Sequence, residues 1–121
     1  MANIGKAYGF FKCSASKEAI ELEMPTIRKL AETPSNLELS LTEGRNNVKG
    51  DDKLVSLAQE AKKIGLNYML EATYPNSGNK NAADEVAIIL NQAYQSPLYK
   101  KEEPFYGDII YKENGEYVFA E

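Results

Sequence analysis

Strand-like and helix-like segments alternate along this chain, and that alternation restricts the fold more than any other feature of the sequence. Tyr8-Gly9-Phe10-Phe11-Lys12-Cys13 is rich in aromatics and bounded by polar residues, as a strand is. Ser16 then offers a helix N-cap, and Ile20, Met24, Ile27 and Ala31 follow at the spacing of one helix face. Leu37, Leu39 and Leu41 alternate with Glu38, Ser40 and Thr42, the period of a strand with one wetted face. Asp51 or Asp52 can cap a second helix, with Leu54, Leu57, Ala58, Ala61 and Ile64 on one side and Gly65 as its C′ residue. Tyr68 to Thr73 reads as a third strand, and Asn81 with Asp84 resembles a capping pair. The third helix is the most apolar, with Ala83, Val86, Ala87, Leu90 and Tyr94 on one face, widened by Ile89 and Ala93. That width suits either the centre of a core or a subunit contact.

The chain closes on Asn114-Gly115 between two apolar-rich runs, and both residues tolerate the positive φ of a type I′ turn. A two-residue turn sets Ile110 opposite Phe119 and Tyr111 opposite Val118. Apolar side chains then point to both faces of the hairpin. One face is expected to lie under helices, the other to be covered only if something docks there.

Residues 18–24 admit two readings. Pro25 inside a helix costs about 3 kcal/mol or forces a kink. Alternatively Ile20, Leu22 and Met24 form a short strand, and a helix starts at Pro25. The apolar stripe and the Ser16 cap favour the kinked helix.

The resulting order is β-α-β-α-β-α-β-β within a single domain, residues 1–121, a length that suits one core. Parallel neighbours need crossover connections, so a parallel or mixed sheet is expected. The wetted face of residues 37–42 favours a two-layer α/β sandwich with a mixed sheet, helices mainly on one face and a C-terminal β-hairpin.

Composition excludes several chemistries. Histidine is absent, which removes Ser-His and Cys-His dyads and most zinc sites. The net charge of −4, with no long basic run, argues against coating a nucleic acid. The single cysteine, Cys13, forms no intrachain disulfide. No signal-peptide pattern and no run of roughly 20 apolar residues is present, so a cytoplasmic location and no membrane partner are expected. No cofactor or metal is implied.

Ligands in open α/β sheets favour the carboxyl ends of parallel strands, next to helix N-termini that suit anions. Three polar loops stand at those ends. They supply Ser14, Ser16 and Lys17, then Arg45 and Asn46, then Ser77 and Lys80. If their strands were parallel neighbours, the cations could converge on a phosphate or carboxylate. The same hydroxyls and amides are also what caps and turns require, and no phosphate-loop spacing occurs.

Cys13-Ser14-Ala15-Ser16 resembles, over four residues, the single-cysteine motif of some thioredoxin-fold proteins. The order of elements after the third strand differs from theirs. A lone thiol at a strand end is more commonly a small buried apolar group, so Cys13 is a weak catalytic candidate. Glu71, inside an apolar strand, is another; its simpler reading points it to the open face of the sheet.

Tyrosine is the unusual component: eight residues and no tryptophan. Tyr94, Tyr99, Phe105, Tyr106, Tyr111, Tyr117 and Phe119 crowd the last third. Rings with polar tips suit interfaces as well as cores. The leading expectation is a non-enzymatic interaction domain that self-associates as a dimer or binds another protein. Its contact would use the third helix, the connection 96–107 and the hairpin, with Ile88, Tyr99, Phe105, Tyr106 and Tyr117 as interface residues. The second expectation is an anion-binding module at the three loops, with Cys13-dependent activity.

Overall fold

The computed structural model describes residues 3–43, 50–96 and 107–120. The elements follow the expected order: β1 (Ile4–Phe11), α1 (Lys17–Leu30), β2 (Glu38–Glu43), α2 (Asp52–Lys63), β3 (Tyr68–Pro75), α3 (Asn79–Tyr94), β4 (Gly107–Glu113) and β5 (Glu116–Phe119). The ambiguity at residues 18–24 resolves to helix. Ser16 Oγ accepts the Ala19 N–H at 3.2 Å, and α1 continues through Pro25. Pro25 is exposed, and the carbonyl it deprives of a helical donor belongs to Glu21, itself exposed. Helix α3 starts two residues before the Asn81–Asp84 pair, on Gly78 as N-cap. Asn79 is instead a bridge: its side chain accepts the Lys6 N–H at 2.9 Å and donates to the Lys112 carbonyl at 2.9 Å.

The five strands form one open sheet in the order β2-β3-β1-β4-β5, and every neighbouring pair is antiparallel. This corrects the expectation of a mixed sheet. The crossovers demanded by strand–helix alternation do exist, because α1 links β1 to β2 and α3 links β3 to β4, each a parallel pair. In both cases the slot between the linked strands is taken by an antiparallel one: β3 lies between β1 and β2, and β1 lies between β3 and β4. Parallel strands therefore never become hydrogen-bonded neighbours.

One face of the sheet carries Ala7, Phe11, Leu41, Tyr68, Leu70, Ala72 and Tyr111, all buried beneath α1 and α3. Helix α1 contributes Ile20 and Ile27; α3 contributes Ala82, Ala83, Val86, Ile89, Leu90 and Ala93. The apolar helix α3 thus serves as the core helix, and Ala87, expected on its buried side, is exposed. It lies close to β1 because Gly9 has no side chain. A Cβ there would stand 2.7 Å from Val86 Cγ1 and 3.0 Å from Leu90 Cδ1.

The sheet with α1 and α3 makes the expected two-layer sandwich, and α2 alone takes the opposite face. There Leu54, Ala58 and Ala61 bury Phe10, Met69 and Ile110, with Leu66 beside them. Two helices on one face and one on the other agree with helices mainly on one side. The remainder of the second face, around Glu38, Ser40, Glu71 and Lys6, is polar. No helix among the described residues is long and apolar enough to cross a membrane.

Candidate functional site

Antiparallel pairing decides the fate of the three-loop pocket. β3 runs against both β1 and β2. The loop after β1 therefore leaves one end of the sheet, and the loop after β3 leaves the other. Ser14, Ser16 and Lys17 lie at the first end, Ser77 and Lys80 at the second, and the structure does not bring them together. Three of these five also have local roles. Ser16 caps α1, Ser77 Oγ accepts from Asn81 Nδ2 at 2.9 Å, and Lys80 pairs with Asp84 at 2.7 Å. Arg45 and Asn46 lie outside the described residues.

The two weak catalytic candidates sit in structural settings. Cys13 is 2% exposed, and its Sγ accepts the Ala15 N–H at 3.4 Å. The Cys13 backbone is clasped by Asn67, whose side chain accepts from the Cys13 N–H at 3.0 Å and donates to its carbonyl at 2.9 Å. Glu71 faces the uncovered part of the sheet and meets Lys6 at 3.5 Å.

Of the expected interface residues, Tyr99, Phe105 and Tyr106 lie outside the described residues. Ile88 is exposed on the outer side of α3, across the sheet from Tyr117, so these two do not share a surface. The hairpin, by contrast, gathers a site around Tyr117. Asn114 and Gly115 take φ values of 53° and 83°, as a type I′ turn requires, and the expected register holds: Ile110 faces Phe119, and Tyr111 faces Val118. The two-sided apolar pattern is met asymmetrically. Ile110 is fully buried under α2, whereas Phe119, its cross-strand partner, is 60% exposed.

Tyr117 is fixed from three sides. Its hydroxyl donates to Asp51 Oδ2 at 3.1 Å, Lys112 Nζ stands 5.1 Å from its ring centroid, and Tyr8 meets its ring edge-on at 6.2 Å. Asp51 is the hub. It accepts the Leu54 N–H at 2.8 Å as N-cap of α2 and holds Lys112 Nζ at 2.9 Å. The Lys112 bond and the Leu54 N–H hold its carboxyl down at about 2. Burial, then the bond to Asp51, push the Tyr117 hydroxyl well above its ordinary value, and burial with the Glu71 charge raises Tyr8. Both phenols therefore stay protonated donors near neutral pH.

Clefts flank this strand on its α2 side. One of about 440 Å³ is lined by Asp52, Lys53, Ser56, Leu57, Glu116 and Tyr117. Another of about 210 Å³ has Leu57, Ala61, Ile64 and Phe119 along its walls, together with Phe10 and the carboxylates Glu60 and Asp108. Ile64, the cap residue of α2, is 64% exposed and shares this cleft with Phe119. β5 is the last strand of the sheet, so its outer side has no strand against it among the described residues. The Ala120 N–H donates to the Ile109 carbonyl at 2.7 Å, which fixes the alternation of the ladder. Glu116, Val118 and Ala120 thus point their backbone groups toward β4, while Tyr117 and Phe119 point theirs outward.

Sequence reasoning found the hairpin and Tyr117 but missed Asp51, Lys112 and Tyr8 as its supports. Asp51 was legible only as a cap, because the residues that share it are distant in sequence. The chain matches no known protein family, no curated protein and no solved structure.

Proposed function

We propose that this chain is a non-enzymatic protein-interaction module that self-associates through the outer edge of its C-terminal hairpin. One observation carries the reading: β5 ends the sheet with the backbone groups of Tyr117 and Phe119 directed outward and the Phe119 ring 60% exposed beside Ile64. An open edge of this kind is a template for strand addition. The opposite edge is less suited to it. β2 carries Glu38 and Glu43, and its residues on the uncovered face are Glu38, Ser40 and Thr42.

Sedimentation velocity across micromolar to millimolar concentrations tests the reading. The expected result is reversible association that Phe119→Lys abolishes, since an edge lysine blocks pairing. Because the ring is mostly exposed, that variant should unfold within about 0.5 kcal/mol of the parent. A strict monomer over the whole range, or association untouched by Phe119→Lys, overturns it.

A further inference from the structure

Resting on that reading, we infer that the partner is a second copy of this chain, paired β5 to β5 about a two-fold axis through Val118. The strand's own alternation selects this register. Within β5, Tyr117 and Phe119 offer the outward backbone groups, so an antiparallel self-pairing must bond through these positions. An axis at Val118 sets Tyr117 against the partner's Phe119, and Phe119 against the partner's Tyr117, which gives two doubly hydrogen-bonded pairs. An axis at Tyr117 would draw Gly115 into the pairing, and Gly115 has φ 83° within the turn. An axis at Phe119 would carry the pairing beyond the strand's last residue.

The side chains agree with this choice. Tyr117 and Phe119 lie on the α2 side of the sheet, so each exposed Phe119 ring would meet a partner tyrosine next to the cleft that Leu57 and Tyr117 line together with Asp52, Lys53, Ser56 and Glu116. Aromatic pairs directly across an antiparallel ladder are favourable contacts. An exposed ring and a cleft-lining tyrosine, two residues apart on one strand, are exchanged by the two-fold axis. That is the self-complementarity an isologous dimer needs. Charge also permits it: Glu116 falls opposite the partner's Ala120 and not opposite another carboxylate. Two β2 edges, each bearing Glu38 and Glu43, would have no comparable aromatic contact. A strand of four residues buries far less than the roughly 1,200 Å² of a stable interface, even with the rings included. The dimer is accordingly a weak one, populated at micromolar and higher concentrations.

Cysteine cross-linking reads the register directly. In a Cys13→Ala background, Val118→Cys would place two thiols on the axis as a non-hydrogen-bonded pair, with Cβ atoms about 4.5–5.5 Å apart, within reach of a disulfide. Glu116→Cys would leave its two thiols roughly 14 Å apart. Mild oxidation should convert most of the Val118→Cys protein to a covalent dimer while the Glu116→Cys protein stays monomeric. The circular dichroism spectrum of each should match the parent. Should Val118→Cys disturb the fold, mixing Tyr117→Cys with Phe119→Cys provides a second reading, because the pairing predicts a mixed disulfide between them. Reversible association without either cross-link would overturn the register while leaving self-association standing. Absence of association in both sedimentation and cross-linking would overturn both.

Discussion

The Tyr117 hydroxyl donates to Asp51 Oδ2 at 3.1 Å, which fastens the last strand of the sheet to the first turn of α2. Asp51 serves three partners at once, since the Leu54 N–H and the Lys112 ammonium share the same carboxylate. The loss of one side chain therefore acts on both the helix cap and the hairpin.

Replacing Asp51 separates its charge from its capping role. Its carboxyl is held at about 2 in the fold against an ordinary value of 3.8, so its ionised form is favoured by folding. A group lowered in this way stabilises the protein fully above its unfolded value, and that stabilisation is lost as pH falls through the folded value. Asp51→Asn retains an oxygen for the Leu54 N–H but loses the charge. The Tm difference between parent and Asp51→Asn should be constant near neutral pH and shrink between about pH 4 and about pH 2. Asp51→Ala also loses the cap and should melt about 4–8 °C below the parent at pH 7. Thermal melts by circular dichroism across this range check both, and an undiminished difference at low pH would refute the charge assignment.

Local signals told the order of elements, and non-local ones stayed silent. Ser16, Asp51 and Gly65 marked helix ends that the structure reproduces, Gly65 with φ 95° past the end of α2. Asn114-Gly115 set the hairpin register because a two-residue turn leaves no freedom in it. β1 begins at Ile4, four residues before the expected start, which was missed because Gly5 and Lys6 interrupt the apolar pattern there. At Gly9 the side chains of α3 take the space of a side chain, and at Gly5 the Ser77–Gly78 backbone that leads into α3 does so. Strand direction was not legible, since a crossover helix fits equally over an adjacent parallel strand or over one antiparallel strand lying between. The second covered face did leave a trace. Phe10-Phe11, Met69-Leu70 and Ile110-Tyr111 each place consecutive buried residues on opposite sides of the sheet, and only helices on both faces can bury such pairs.

The closeness of α3 to β1 makes Gly9 a sensitive position. A methyl group added there would meet Val86 Cγ1 at 2.7 Å and Leu90 Cδ1 at 3.0 Å, both on buried residues of a packed helix. These branched side chains have little room to withdraw, so α3 must shift or strain. Gly9→Ala is expected to lose about 1–3 kcal/mol in urea unfolding. Pairing it with Val86→Ala should recover part of that loss, because the nearest clash is removed. A Gly9→Ala protein as stable as the parent would mean that α3 does not lie this close.

Ile110 and Phe119 occupy the same cross-strand pair and face the same side of the sheet, yet α2 covers only the first. Ile110 is 0% exposed and Phe119 is 60% exposed, so truncation should cost them very different amounts. Ile110→Ala removes fully buried methyl groups and leaves a cavity between α2 and the sheet, at about 2–5 kcal/mol. Phe119→Ala removes a larger side chain but forfeits mainly contacts with solvent, and about 0.5 kcal/mol is expected for a surface site in the monomer. Urea unfolding at submicromolar concentration, where association does not contribute, measures both. The smaller residue should matter more, and the difference between the two variants should narrow as protein concentration rises, because association then adds stability that Phe119→Ala loses. Equal costs in the dilute monomer would show that Phe119 is packed within its own chain, and the β5 edge would then have no exposed ring to offer a second copy.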